Sequence, residues 1–158
     1  MVALVDSKHR SQFGFQEETT FEKDSQSQMN LNVLLNELEK TKKNFDFNDG
    51  YITIESPSHM ELILESYADA DKRKILEITA DKAKPIMEIL NTCNIPQTSA
   101  YRKVTMLIAE GMIIPNGCAF KHGRRITKYK SIFENVEINM VRNKLQITVK
   151  LAEKDQGT

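Results

Sequence analysis

The sequence predicts an α+β fold in which a group of short helices is flanked by β-hairpins. Two patterns predict it. Apolar residues recur at helical spacing in several short runs between positions 31 and 110, and alternating apolar residues surround turn-forming residues near positions 49 and 142. With 158 residues, 40% of them hydrophobic, the chain can build one domain core plus modest extensions.

The charge of the chain is unevenly divided. Its 22 basic and 22 acidic residues balance overall. Residues 1–70 hold 6 basic and 13 acidic residues, a net charge of −7, whereas residues 71–158 hold 16 and 9, a net charge of +7. A negatively charged partner is therefore expected to bind the C-terminal half.

The N-terminal part divides into a polar arm and a short extension. Residues 1–28 are rich in Ser, Gln, Glu and Thr, and we expect a flexible arm. In the extension, residues 29–57, four leucines at helical spacing predict an amphipathic helix, and Asn48-Asp49-Gly50 predicts a hairpin between residues 45 and 54. These leucines are Leu31, Leu34, Leu35 and Leu38.

Three further helices are predicted between residues 58 and 92. Ser58 is placed to cap a helix that begins at His59, and Asp71 is placed to cap the next one. The third helix is expected from about Lys84 to Thr92, with Pro85 in its first turn, where the missing N–H group is harmless.

The helix that follows, residues 97–110, has two different faces. Its buried stripe is phased around Val104 and ends at Gly111. The outward face is small, polar and basic near its N-terminus, as a helix entering the major groove of DNA requires. Its predicted DNA-contacting residues are Gln97, Thr98, Ser99, Tyr101, Arg102 and Lys103.

A basic hairpin is predicted directly after this helix, with residues 112–114 in its first strand. The segment 117–130 carries cations and no acidic residue. From residue 97 to residue 130 seven basic residues face one acidic residue, Glu110, which is the charge pattern of a phosphate-binding surface. The hairpin residues predicted to contact DNA are Lys121, His122, Arg124, Arg125 and Lys128, and Lys130 adds a further cation.

The segments SYADADKRKILEITA, IPQTSAYRKVTMLIAEGMI and GRRITKY together resemble the winged helix-turn-helix domain of ArsR-like transcriptional regulators, in particular archaeal ones. The resemblance implies a domain over residues 58–133 that binds double-stranded DNA. Helix 97–110 would be its recognition helix, and hairpin 117–130 its wing. The implied role is a sequence-specific transcriptional regulator, cytoplasmic and associated with the nucleoid.

No metal, cofactor or catalytic activity is expected. Metal-sensing ArsR-like proteins carry a Cys-x-Cys pair where this chain has the lone Cys93, and Cys118 and His122 complete no recognised ligand spacing. Two cysteines are also too few for a disulfide scaffold. No catalytic constellation of side chains stands out, and no apolar run is long enough for a membrane span.

The C-terminal part, residues 134–158, is expected to form a second hairpin followed by a tail. Its apolar residues alternate on both sides of Arg142-Asn143, and its apolar face is too small to be stable alone. We expect this face to be covered by the helical core, by the 45–54 hairpin or by another subunit. Of these we favour a homodimer, to which the leucine-rich helix contributes. These hairpin residues are Val136, Ile138, Met140, Leu145, Ile147, Val149 and Leu151.

Two other functions fit the sequence. A winged helix can be a protein–protein interaction module that does not bind DNA specifically. RNA binding is the third possibility, although the paired aromatic residues or glycine loop used to recognise single strands are missing.

Overall fold

The structure is a computed structural model in which Leu31 and residues 50–153 are described. Residues 50–153 contain four α-helices and two antiparallel three-stranded sheets. This confirms the α+β class. The elements in chain order are β1 (Tyr51–Ile54), α1 (Pro57–Ala68), α2 (Ala70–Ile78), β2 (Lys84–Pro85), α3 (Ile86–Thr92), α4 (Gln97–Glu110), β3 (Ile113–Lys121), β4 (Arg124–Ser131), β5 (Phe133–Val141) and β6 (Lys144–Leu151).

The first sheet has the strand order β1-β6-β5. Strands β5 and β6 form the predicted C-terminal hairpin, whose turn residues Arg142 and Asn143 have φ values of 52° and 61°. Positive φ at both central residues defines the turn type that matches the twist of a two-residue hairpin. Strand β1 pairs with β6, with Ile52 opposite Val149, so residues 51–54 belong to the same sheet as the C-terminal hairpin.

The second sheet has the strand order β2-β4-β3. Its hairpin is turned by His122 and Gly123, with φ values of 50° and 74°, so the tip is two residues long and shorter than the sequence suggests. The prediction that a helix begins at Lys84 is wrong. Lys84 and Pro85 form the short strand β2 opposite Tyr129 and Lys128.

Two predicted helix caps are also wrong. Helix α1 begins at Pro57 after Ser56, two residues before the predicted start, because proline fits the first helical position. Helix α2 is capped by Asp69 and not by Asp71, since the Asp69 carboxylate accepts hydrogen bonds from the N–H groups of Asp71 and Lys72.

One hydrophobic core joins the helices to both sheets. The fully buried residues come from α1, α2, α3 and α4 and from strands in each sheet. All described residues belong to one compact unit, Leu31–Thr158. The largest fully buried apolar side chains are Leu31, Ile54, Ile63, Ile75, Ile89, Val104, Leu107, Met112, Ile113, Ile147 and Val149.

Some of the predicted elements lie outside the described residues. These are the arm 1–28, most of the leucine-rich helix, the turn and first strand of the 45–54 hairpin, and the tail 154–158. Leu31 is described, lies in a helix, and is completely buried within the core of its own unit.

Candidate nucleic-acid interface

Helix α4 packs on the core along one side. It begins at Gln97 after Pro96 and ends at Gly111, whose φ of 77° is the left-handed conformation that glycine adopts at little cost. The predicted buried stripe is confirmed, because Ala100, Val104 and Leu107 are completely buried. The opposite face of α4 is consequently held toward solvent.

The exposed face of α4 carries most of the residues predicted for it. Gln97, Thr98, Tyr101 and Arg102 are exposed, and Ser99 is half-buried. Arg102 makes no ion pair with any residue in the described part of the chain. The N-terminal end of this face thus offers an amide, a hydroxyl, a phenol and one free guanidinium group.

Lys103 differs from its prediction as a DNA contact. Its ammonium group forms an ion pair with the Asp69 carboxylate, and only 16% of its side chain is exposed. The hydrogen bond from Lys103, together with the backbone N–H of Lys72, lowers the pKa of Asp69. Lys103 therefore anchors α4 to the start of α2, and its charge is largely neutralised.

Glu110, the acidic residue of the 97–130 segment, is likewise neutralised within the fold. Lys72 donates to both of its carboxylate oxygens at 3.1 Å. The pair joins α2 to the last turn of α4, close to Gly111. Because this negative charge is neutralised, the electrostatic field of residues 97–130 comes mainly from the exposed cations.

The β3–β4 hairpin gathers four predicted residues at its tip. Lys121 lies directly opposite Arg124, with His122 in the turn between them and Arg125 next in the strand. All four are exposed. Because partners across an antiparallel pair lie about 5 Å apart, the tip concentrates three permanent positive charges.

The cations further along β4 are less accessible. Lys128 is half-buried; it lies opposite Pro85, and its Cε is near Gly117, at the bulge where β3 gains an extra residue. Lys130 is buried and donates to the Glu153 carbonyl oxygen at 3.3 Å, so the prediction that it is an available cation is wrong.

Phe120 is a residue that the sequence argument missed. It lies opposite Arg125 near the hairpin tip and is 76% exposed, the highest value among the large apolar side chains of the described residues. The signal in the sequence is the aromatic residue directly before Lys121 at the predicted hairpin tip. Exposed aromatic side chains next to cations can stack on bases or insert between them.

The predicted contacts lie on two elements, α4 and the β3–β4 hairpin, which follow one another along the chain at Gly111. The start of α4 lies roughly 20 Å along the helix from Gly111, given about 1.5 Å per residue. The hairpin tip lies roughly 30 Å along β3 from the same glycine, given about 3.3 Å per residue.

Three other features bear on function. Cys93 is buried and Cys118 half-buried, both as free thiols. Within residues 50–153 and Leu31, no group of three or more His, Cys, Asp or Glu side chains is placed to hold a metal ion. No helix of the same residues is long and apolar enough to cross a membrane.

A comparison of the chain with protein-family models, curated proteins and solved structures finds no match.

Proposed function

We propose that the protein is a winged helix-turn-helix regulator of transcription that binds double-stranded DNA in a sequence-specific manner. Helix α4 is the recognition helix in the major groove. The β3–β4 hairpin is the wing, and its cations contact the phosphate backbone.

The order of the elements supports the fold assignment. Helix α3 and helix α4 are separated by the four residues Cys93–Pro96, a length typical of a helix-turn-helix. Strand β2 precedes these helices and completes a sheet with β3 and β4. A hairpin that follows the second helix directly after Gly111 also supports the proposal of a winged helix.

The observation that carries the functional proposal is the distribution of available charge. Lys103 and Glu110 are engaged with α2, so the accessible groups are Arg102 on α4 and the cations of the hairpin. Arg102 can hydrogen-bond to a base edge, whereas the hairpin cations can form ion pairs with phosphates. The exposed or half-buried cations are Arg102, Lys121, Arg124, Arg125 and Lys128.

A salt-dependent titration tests the proposal. The full chain is titrated into a labelled random duplex at two salt concentrations. Each phosphate contact adds about 0.9 to the log–log slope, so about four contacts predict a roughly 100-fold weaker affinity at 200 mM than at 50 mM salt. Selection of bound fragments from a random pool then identifies the preferred site.

A second candidate function is supported by two other side chains of α4. Tyr101 and Met106 are exposed large hydrophobic residues, and aromatic residues and methionine are enriched at protein interfaces. A protein-interaction module would bind random duplex weakly and would enrich no sequence in the selection. That pair of results would replace the DNA-binding proposal with this one.

We also propose that the protein binds DNA as a homodimer. A two-fold dimer places two recognition helices about one DNA turn, roughly 34 Å, apart and doubles the phosphate contacts. The selected DNA site is then expected to be a palindrome with half-sites at that spacing.

A further inference from the structure

Strand β5 lies at one side of the β1-β6-β5 sheet, and its outer edge has no partner strand among the described residues. Edge strands expose backbone N–H and C=O groups that can pair with another chain. The segment between the bulge at Glu134 and the turn at Arg142 is regular and free of proline and glycine. It can therefore accept a further strand without distortion.

The turn determines which backbone groups face outward. In a two-residue hairpin the residues that flank the turn, Val141 and Lys144, form a hydrogen-bonded pair. Alternate residues of β5 consequently bond to β6, and the residues between them direct their N–H and C=O groups to the free edge. The outward-directed residues are Val136, Ile138 and Met140.

The same three residues carry an apolar face that is incompletely covered. Ile138 is 41% exposed and Met140 is 64% exposed, whereas Ile147, directly opposite Ile138 on β6, is completely buried. A groove of about 430 Å³ runs between α2 and this part of β5. Its lining includes Tyr67, Leu76, Glu77, Phe133, Val136 and Ile138.

We infer that β5 pairs antiparallel with β5 of a second copy of this chain, about a two-fold axis at Ile138. Each Ile138 then exchanges both backbone hydrogen bonds with its counterpart, and Val136 pairs in the same way with Met140 of the second copy. The apolar faces of the two sheets become continuous. Met140 of the second copy lies beside Val136, at the mouth of the groove.

Charge complementarity selects a second copy as the occupant. In this register Glu134 of one copy, at the bulge and 3.2 Å from Lys150 of its own chain, is level with the turn residue Arg142 of the other copy, just beyond each end of the regular segment. Within one chain these residues are eight positions apart along a strand, roughly 26 Å at about 3.3 Å per residue, and cannot pair. The strand is thus complementary to itself in the antiparallel direction.

Charge also disfavours one of the two neighbouring registers. A two-fold axis at Glu137 places two identical carboxylates opposite each other in a non-hydrogen-bonded pair, where side chains are closest and like charges repel. The axis at Ile138 places Glu137 opposite Asn139 instead. Among these registers, only the axis at Ile138 brings Glu134 level with Arg142 of the other copy.

Sedimentation equilibrium of the full chain without DNA tests the interface independently of the proposed DNA binding. The wild type is expected to be dimeric at micromolar concentration. Ile138→Lys places two cations opposite each other and is expected to raise the dimer dissociation constant about tenfold or more. Met87→Lys, at an exposed position on α3, is the matched control and is expected to remain dimeric. A monomeric wild type, or an Ile138→Lys variant as dimeric as the control, overturns the inference.

A charge-reversal pair tests the register and does not depend on the fold tolerating Ile138→Lys. Arg142→Glu is expected to weaken the dimer, because it places a second carboxylate beside Glu134 of the other copy. The added change Glu134→Lys is expected to restore dimerisation, although it removes the ion pair that Glu134 makes with Lys150 at 3.2 Å in its own chain. A double variant that dissociates more readily than Arg142→Glu alone refutes this register.

Discussion

Lys72 Nζ lies 3.1 Å from both carboxylate oxygens of Glu110, across a separation of 38 residues in the sequence. Lys72 is buried, and 22% of the Glu110 side chain is exposed. A second ion pair, between Lys103 and Asp69, joins the same two helices nearer the N-terminus of α4. Together the two pairs join α4 to α2 at two points, in addition to the packing of the apolar stripe of α4.

Removing only one charge of the Lys72–Glu110 pair is expected to lower the free energy of unfolding more than replacing both residues by apolar ones. Lys72→Met leaves Glu110 without its partner and is predicted to lower the free energy of unfolding by about 3 kcal/mol. The double variant Lys72→Met/Glu110→Leu removes both charges and is predicted to lie within about 1 kcal/mol of the wild type. The free energy of unfolding is measured in urea for the wild type, the single variants Lys72→Met and Glu110→Leu, and the double variant. Additive losses in the double variant would contradict the prediction.

Asp69 is expected to make stability depend on acid pH. Its pKa is lowered below the ordinary value of 3.8, first by the hydrogen bond from Lys103. A carboxyl group with a lowered folded-state pKa contributes stability above its unfolded value, and this contribution is lost as the pH falls through the folded value. Asp69→Asn keeps a side chain that can cap α2 but loses the charge.

Urea midpoints between pH 6 and acid conditions test this expectation. The advantage of the wild type over Asp69→Asn should be constant above the ordinary carboxyl range and should shrink as the pH falls below about 3.8. A difference between the two proteins that does not change with pH would mean that Lys103 does not stabilise the charged form of Asp69.

The parts of the fold that depend on local signals could be predicted from the sequence. Helix α4 has a regular apolar stripe, a proline before it and a glycine after it, and its predicted bounds are correct. The turn at Arg142-Asn143 lies between two alternating runs, which also define the hairpin without tertiary information.

The errors arise where distant residues decide the outcome. Lys84 and Pro85 fit a helical first turn locally, but pairing with Tyr129 and Lys128 makes them a strand. Helical phasing places Lys103 on the outward face, and only its partner Asp69, 34 residues earlier, withdraws it from solvent. Side-chain pairing between distant residues has no local sequence signal, so the predicted site includes a lysine whose charge is already paired within the fold.

The two ends of the candidate interface should respond differently to mutation. Arg102→Ala is predicted to reduce discrimination between the selected site and a scrambled duplex by about 1–3 kcal/mol, as for the loss of a bidentate hydrogen bond to guanine. Lys103→Ala is the matched control on the next residue of the same helix. Because Lys103 is bound to Asp69, its variant is expected to lose thermal stability and to keep its sequence preference. Equal loss of preference in both variants would reject these separate roles.

The hairpin tip is predicted to supply affinity without sequence preference. Replacing Arg124 and Arg125 together by glutamine should weaken binding to all duplexes about equally and reduce the salt slope by about 1.8, or 0.9 for each arginine that no longer binds a phosphate. Replacement of Lys74 and Lys82, which are also exposed but lie outside α4 and the hairpin, removes the same charge and serves as the control. If both double variants changed the slope equally, net charge alone would account for binding. If the tip variant changed sequence preference and left the slope intact, the tip would be reading bases, and Phe120 beside Arg125 would be the next residue to replace.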